Sequence, residues 1–156
     1  MDLYDDELLS LFKAFYKYNL EYIMVGGFAT NMHGFSRITA DLDIWLKDTS
    51  ENRKNLRQAI AEFGYGDLEE LEKIEFVAGF TTLRLDSGME LDLMGSLKNY
   101  PAASFDECYA IAPTVLIHDI PVKILHINHL IAEKKKTGRP KDLLDVEELE
   151  KIRKLQ

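Results

Sequence analysis

Apolar positions follow helical spacing in some stretches of this chain and fill short continuous runs in others. Near the start they recur every three or four residues, at Leu8, Leu11, Phe12 and Phe15. This spacing predicts an amphipathic helix that ends near Asn19. The apolar run 22–25 is typical of a short buried strand. Gly26-Gly27 interrupts that run, and a helix is predicted from the second glycine to His33.

The next stretch predicts a second strand and two helices. The strand covers residues 39–46. A helix over 51–63 follows Thr49-Ser50, whose hydroxyls suit an N-terminal cap. Glycines then interrupt the pattern, and a short helix is predicted over 68–74.

A β-hairpin is predicted from residues 76–85 and 89–94, which flank Asp86-Ser87-Gly88. A two-residue loop would mix apolar and acidic side chains on one face, whereas a three-residue loop keeps each face chemically uniform. Gly88 then falls where such loops need a left-handed residue. The predicted pairs are Leu85 with Met89, Leu83 with Leu91, Thr81 with Leu93, Arg84 with Glu90, and Thr82 with Asp92.

The last third of the chain predicts two short strands and two helices. Strand-like runs occupy 115–117 and 122–125. A helical pattern covers 126–137 and ends at a glycine, and a proline then opens a final helix over about 140–155.

The predicted fold class is mixed α+β: a mixed β-sheet with flanking helices and a C-terminal helix pair. No linker, repeat or low-complexity tract interrupts the chain. One domain is therefore predicted over 1–156, with a core over about 1–125 and the helix pair over about 126–156.

Composition narrows the class of protein. The 156 residues are 46% hydrophobic, enough for a packed core, and the formal net charge is −8. That charge disfavours broad, sequence-independent binding of nucleic acid. Cys108 is the single cysteine, so neither an intrachain disulfide nor a cysteine-based metal cluster is possible. An acidic N-terminus and the lack of a membrane-spanning apolar run predict a cytoplasmic protein with no membrane partner.

Two aspartates on the second predicted strand indicate a metal site. Asp41 and Asp43 share one strand face, because side chains at i and i+2 point the same way. Adjacent carboxylates repel each other unless a cation neutralises them, and Mg²⁺ commonly takes one or two carboxylates plus substrate phosphates. A solvated strand face would also carry charges. Apolar neighbours, with Trp45 continuing the aspartate face, favour the metal site.

Two further features could complete such a site. Gly26-Gly27 would let the backbone approach a phosphate at a helix start, although a tight turn needs glycine as well. The hairpin register pairs Glu90 with Arg84 and leaves Asp92 opposite a neutral threonine. Asp92 is then available as a third carboxylate, the alternative being that it is merely exposed.

Lysines of the C-terminal helices could supply positive charge. Lys134 lies on the apolar stripe of its helix, formed by Ile127, Leu130 and Ile131. A lysine there points inward, which suits a triphosphate ligand. Lys141 is ambiguous between the cleft and solvent.

The sequence resembles the nucleotidyltransferase superfamily, and within it the AbiEii-type and related branch, at Val25-Gly26-Gly27-Phe28-Ala29, His33-Gly34, Arg37, Thr39 and Asp41-Leu42-Asp43. The late Arg-x-Lys-Asp helix of that branch is matched by Arg139-Pro140-Lys141-Asp142, with Asp145 following. The resemblance spans nearly the whole chain, although about 47–80 and 96–125 match only in the order of elements.

The resemblance implies a polymerase-β-like core that uses Mg²⁺ or Mn²⁺. Asp41, Asp43 and Asp92 would be the catalytic and metal-binding residues, with Asp92 activating the acceptor hydroxyl. The nucleotide-binding residues would be Gly26, Gly27, Arg37 and Thr39, together with the two lysines of the C-terminal helices, Lys134 and Lys141. Many members of the superfamily have a serine where Gly27 stands, so a hydroxyl contact to phosphate is missing here. The Gly-Gly form is usual in the branch named above.

The leading hypothesis is an enzyme that moves a nucleoside monophosphate from an NTP to an acceptor and releases pyrophosphate. The acceptor, a protein, small molecule or tRNA end, stays open, and so does a role in a toxin–antitoxin pair. The alternative is a non-catalytic module of the same fold, an antitoxin or regulator that acts through a partner protein. A purely structural acidic domain would leave the clustered aspartates unexplained.

Overall fold

The computed structural model describes residues 5–73 and 80–156. Its elements follow in this order: α1 (Asp6–Lys17), β1 (Tyr22–Val25), α2 (Gly26–Met32), β2 (Asp41–Leu46), α3 (Ser50–Phe63), α4 (Glu70–Lys73), β3 (Phe80–Arg84), β4 (Glu90–Met94), α5 (Phe105–Ile111), β5 (Thr114–Ile117), β6 (Ile120–Lys123), α6 (Ile127–Thr137) and α7 (Pro140–Lys154). A 3₁₀ turn, Ala102–Ser104, directly precedes α5.

Four strands form a mixed sheet in the order β1–β2–β4–β3. β1 is antiparallel to β2, β2 is parallel to β4, and β4 is antiparallel to β3. The parallel contact joins two strands that are far apart in the chain, so it needs the intervening helices as a crossover. The predicted α+β class, a mixed sheet with flanking helices, is confirmed.

The predicted hairpin register is confirmed in the described residues. The observed pairs are Thr81 with Leu93, Thr82 with Asp92, Leu83 with Leu91, and Arg84 with Glu90. The Leu85 amide donates to the Met89 carbonyl at 2.8 Å, which closes the three-residue loop, and Gly88 has a φ of +92°. The first four residues of the predicted strand, 76–79, lie outside the described residues.

The helices pack against the sheet, and apolar side chains of both form one core. Leu42 and Ile44 of β2 are fully buried, as their alternation with the aspartates requires. Trp45, on the aspartate face, is fully buried as well and packs against Tyr100 and Phe105. The second sheet, β5–β6, joins the first through one bridge, in which the Leu125 amide donates to the Met24 carbonyl at 3.0 Å.

Several predicted boundaries differ from the observed ones. α2 begins at Gly26, one residue earlier than predicted, because Gly26 already takes part in the first helical turn. β2 begins at Asp41 rather than at residue 39, because pairing with β4 starts at Asp41 and pairing with β1 only at Asp43. The short helix before the hairpin is described only as Glu70–Lys73. The helix α5 was not predicted, since two turns expose too little periodicity to recognise.

The C-terminal helix pair is observed where the sequence predicts it. α6 and α7 pack against each other, and Gly138 ends α6 with a left-handed φ of +64°. Within 5–73 and 80–156, no helix combines the length and apolar character needed to cross a membrane.

Candidate functional site

The parallel pairing of β2 with β4 brings the predicted acids together. Asp43 lies directly opposite Asp92, and Asp41 lies opposite Glu90. Side chains of paired residues point to the same face of a sheet, so the aspartates of both strands share one face. The third carboxylate that the sequence proposed therefore lies beside Asp43, on the same face as Asp41.

Asp43 and Asp92 are close enough to share a proton. The pKa of the Asp43 carboxyl is raised to about 7, mainly by burial, and further by the hydrogen bond and charge of Asp92 and by the charge of Asp41. The Lys134 ammonium opposes this rise. Negative charge on Asp43 is therefore disfavoured unless a counter-charge is present, and a bound cation would favour loss of the Asp43 proton.

Asp92 also accepts a hydrogen bond from its cross-strand neighbour. The Thr82 hydroxyl donates to Asp92 Oδ1 at 2.6 Å, so Asp92 has a partner where the sequence predicted none. Glu90 behaves as predicted, because its carboxylate accepts from Arg84 Nη2 at 2.8 Å near the surface. The two acids of β4 are thus separated: Asp92 faces the aspartates, and Glu90 is bound by an arginine.

Gly26 allows the Asp43 carboxylate to reach the start of α2. The φ of Gly26 is +68°, and a Cβ atom on this residue would lie 2.0 Å from Asp43 Oδ2. No side chain fits there, and the left-handed backbone also favours glycine. The Asp43 carboxylate therefore lies directly beside the backbone at the start of α2.

Gly27 leaves room for two residues of the loop before β2. A Cβ atom on Gly27 would lie 2.4 Å from Thr39 Oγ1 and 3.4 Å from Arg37 Nη2. The serine found at this position in many superfamily members would therefore collide with Thr39, whose hydroxyl lies beside the Gly27 backbone. Arg37 and Thr39, predicted as nucleotide-binding, both border the glycine turn.

Arg37 and Lys134 meet at an aspartate that the sequence did not single out as a site residue. Arg37 donates to both oxygens of Asp145, from Nε at 2.8 Å and from Nη2 at 2.7 Å. Lys134 Nζ lies 2.8 Å from Asp145 Oδ2. The prediction that Lys134 points inward is confirmed, since it is only 5% exposed, but its ammonium is already paired. A signal for Asp145 existed: it falls on the buried stripe of α7 with Val146 and Leu149.

Two solved structures with a similar fold are described as nucleotidyltransferases or as nucleotidyltransferase-like. An antigenic nucleotidyltransferase-like protein from Paracoccidioides brasiliensis matches with a TM-score of 0.59 and 18% identity, over 96% of this chain and 73% of that one. A proposed nucleotidyltransferase from Thermotoga maritima matches with a TM-score of 0.58 and 17% identity, over 95% and 89%. The chain has the nucleotidyltransferase-like fold.

A third structure of this fold is the antibiotic-resistance factor ANT(2'')-Ia. It matches with a TM-score of 0.52 and 16% identity, over 96% of this chain and 88% of that one. Neither a family model nor a curated protein matches the sequence. At these identities the similarity establishes the fold, and the AbiEii-type branch suggested by the sequence stays a prediction.

Lys141 is placed away from the buried charges of this nucleotidyltransferase-like fold. It is exposed in the first turn of α7. Its neighbour Asp142 is buried and accepts from Arg139 Nε at 2.7 Å and from the Thr137 hydroxyl at 2.8 Å. Hydrogen bonding and the Arg139 charge keep the pKa of Asp142 below its ordinary value despite burial. These contacts fix the α6–α7 turn.

The acid pair fits a hard cation only in part. In the described ranges, no group of three or more His, Cys, Asp or Glu side chains is arranged so that it could hold a metal ion. Asp43 and Asp92 nevertheless place carboxylate oxygens close together, and the neighbouring negative charges contribute to the raised pKa of Asp43. A bound cation would reduce this repulsion. Mg²⁺ binding through one or two carboxylates plus substrate phosphates needs no preformed cage. The donor set therefore suits a cation that arrives with a nucleotide.

Proposed function

We propose that the protein is a metal-dependent nucleotidyltransferase that moves a nucleoside monophosphate from an NTP to an acceptor. In this reaction the acceptor oxygen bonds to the α-phosphorus, the bond from that phosphorus to the bridging oxygen breaks, and pyrophosphate leaves. The observation that carries the proposal is the Asp43–Asp92 pair, which faces the glycine turn of α2.

The proposed nucleotide site combines acids with a cation beside the glycine turn. Asp41, Asp43 and Asp92 supply the acids, and Arg37 supplies the cation. Mg²⁺ or Mn²⁺, when bound, would neutralise phosphate charge and the carboxylates together. Asp43, whose pKa is raised, would release its proton when a cation binds. In the transfer step Asp92 would accept the proton of the acceptor hydroxyl.

The phosphates would be held by backbone and side chains of the loop–helix region. Free N–H groups at the Gly26-Gly27 turn attract anions. The Thr39 hydroxyl lies beside this turn, where it could replace the serine of other members. Lys134 would act through its charge rather than by direct contact, since it is bound to Asp145. Lys141 could reach the outer phosphates from its exposed position. Positioning and charge neutralisation are the main contributions in phosphoryl transfer.

The test is transfer of label from each of the four NTPs, labelled at the α-phosphorus, in the presence of Mg²⁺ or Mn²⁺. A cell lysate supplies candidate acceptors, and the labelled product is then identified as protein, small molecule or tRNA. Wild-type protein should label one class of acceptor. The double variant Asp41→Ala/Asp43→Ala should not, and activity equal to wild type in that variant would refute the proposal.

A matched pair on β4 sharpens this test. Asp92→Asn removes the carboxylate that faces Asp43, whereas Glu90→Gln changes the carboxylate two residues away, which is bound to Arg84. Loss of transfer in the first variant and retention in the second would assign the activity to the acid pair. Equal loss in both would point to damage of β4 instead.

A second candidate is a non-catalytic binding module, an antitoxin or regulator that acts through a partner protein. The pairing of Lys134 with Asp145 favours it, because this ammonium is already occupied and does not offer a free cation for phosphate. It predicts co-purification with a partner protein and no change in melting temperature with Mg²⁺ and NTP. The net charge of −8 favours a protein or small-molecule acceptor over extended nucleic acid in the enzymatic case.

A further inference from the structure

Asp145 is a buried carboxylate whose two oxygens are both bound by cations. Arg37 binds both oxygens, at 2.8 Å and 2.7 Å, and Lys134 binds Oδ2 at 2.8 Å. The side chain of Asp145 is 1% exposed. Desolvating a carboxylate is costly, so it is retained in a core only with strong charge-assisted hydrogen bonds such as these.

The three charges form layers from the interior to the surface. Lys134 is 7% exposed at its side chain, and Arg37 is 24% exposed. Arg37 is therefore the member of the group that a ligand can reach. Its Nη2 lies 3.4 Å from the point where a Cβ atom on Gly27 would be, so the guanidinium borders the glycine turn.

Two hydrogen bonds from one guanidinium to one carboxylate fix the plane of the guanidinium. A single contact would leave Arg37 free to rotate, whereas the paired contact defines both its position and its orientation. Two cations and one carboxylate also leave a net positive charge on this group. Asp145 thus orients Arg37 without cancelling the positive charge of the group.

We propose that Asp145 is a positioning residue for nucleotide binding, holding the Arg37 guanidinium from behind so that a triphosphate meets a preoriented cation. The inference rests on the proposed nucleotidyltransferase function and deepens it. Asp145 and Arg37 are 108 positions apart in sequence, so the last helix becomes part of the nucleotide site. An oriented cation binds an anion more tightly than a mobile one because less conformational freedom is lost on binding.

The experiment measures the Kd for Mg²⁺ with non-hydrolysable NTP analogues, each of the four bases in turn, by calorimetry. Asp145→Asn is expected to weaken the best analogue at least tenfold. Asp142→Asn is the matched control, because Asp142 is another buried aspartate of α7 with an arginine partner. The control is expected to lower the melting temperature while changing the Kd less than twofold.

A second pair of variants distinguishes weaker nucleotide binding from loss of folding. Asp145→Asn leaves Lys134 buried without its carboxylate, which is destabilising. The pair Lys134→Met and Lys134→Met/Asp145→Asn avoids this, because the double variant removes both buried charges. Any direct contribution of Lys134 is absent from both proteins, so a tenfold difference in Kd between them reports on Asp145.

A third comparison separates positioning from general damage. If Asp145 acts through Arg37, adding Asp145→Asn to Arg37→Ala should weaken binding no further. Additive losses would overturn the inference, and so would equal losses in Asp145→Asn and Asp142→Asn. Wild-type protein that binds no analogue would overturn the nucleotidyltransferase proposal itself. Wild-type binding with an unaffected Asp145→Asn variant would overturn the role of Asp145 alone.

Discussion

Gly26 is the residue on which the approach of Asp43 to α2 depends. Any side chain here would collide with the Asp43 carboxylate and would also meet a left-handed backbone. A side chain at Gly26 would lower stability for two reasons, backbone strain and a steric clash. Gly88 allows the two contributions to be measured separately, because a side chain there would meet only the strain.

A left-handed backbone alone costs a non-glycine residue about 1–2 kcal/mol. Gly26→Ala should lower the free energy of unfolding by more than this, and should abolish nucleotide-dependent activity. Gly88→Ala is the control, because Gly88 has a φ of +92° and a Cβ atom there would meet nothing within 4 Å. Urea denaturation of both variants gives the difference that is due to the clash. Equal losses would contradict the close approach of Asp43 to Gly26.

Asp43 should make the stability of the metal-free protein depend on pH. Its pKa is about 7 in the folded protein and 3.8 ordinarily, so between these values the folded state binds a proton that the unfolded state does not. The stabilisation is full below about pH 4 and is lost as pH rises towards 7. In EDTA, the melting temperature should fall over this range relative to that of Asp43→Asn.

The control for the pH experiment is Asp86→Asn, which alters an exposed aspartate of the hairpin loop. Its pH profile should be parallel to that of wild type. An Asp43→Asn profile that is also parallel to wild type would argue against the raised pKa of Asp43.

Asn52 connects the helix α3 by hydrogen bonds to residues that flank the strands β1 and β2. Its Oδ1 accepts from the Glu21 amide at 2.9 Å, and its Nδ2 donates to the carbonyls of Glu21 at 2.9 Å and Lys47 at 2.8 Å. One buried amide thus satisfies backbone groups before β1 and after β2. The sequence showed Asn52 only as a polar residue near the start of a helix.

Asn52→Ala should destabilise the protein by about 2–4 kcal/mol, because it leaves buried backbone groups without partners. Asn55→Ala, one turn further along α3 and only half-buried, should cost less than about 1 kcal/mol. Chemical denaturation measures both. Similar losses for the two variants would show that the amide network is not what holds α3.

The hairpin shows how far an element can be derived from sequence. Its register follows from local alternation and loop length, because a shift of one residue would move apolar side chains to the wrong face. All five predicted pairs are found among the described residues. By contrast, α5 was not predicted, because its two turns are too short to show periodicity and its Phe105 packs against Trp45 from a distant part of the chain.

At the scale of the whole molecule, nucleotide binding should be linked to stability. Mg²⁺ with a non-hydrolysable NTP at 100 times its Kd should add about 2.7 kcal/mol, which for a domain of this size raises the melting temperature by about 5–10 °C. The shift needs the Asp43–Asp92 pair, so it should vanish in Asp92→Asn and persist in Glu90→Gln. A shift of the same size in both variants would mean that the nucleotide binds elsewhere.

The candidate site combines residues that local patterns identify with residues that they do not. Asp41, Asp43 and the glycine turn follow from strand alternation and from the break between β1 and α2. The inward direction of Lys134 follows from its helical stripe. The partner of Lys134 could not be derived, because periodicity shows which face of a helix is buried but not what lies opposite that face.

The sequence by itself determined the faces of single elements and the hairpin register, because both depend on contacts between residues close together in the chain. Only the tertiary structure decided that β2 lies beside β4, which brings Asp43 to Asp92. It also decided that α7 inserts Asp145 between Arg37 and Lys134. Pairing between distant elements depends on the packing of the whole core, which no local spacing encodes.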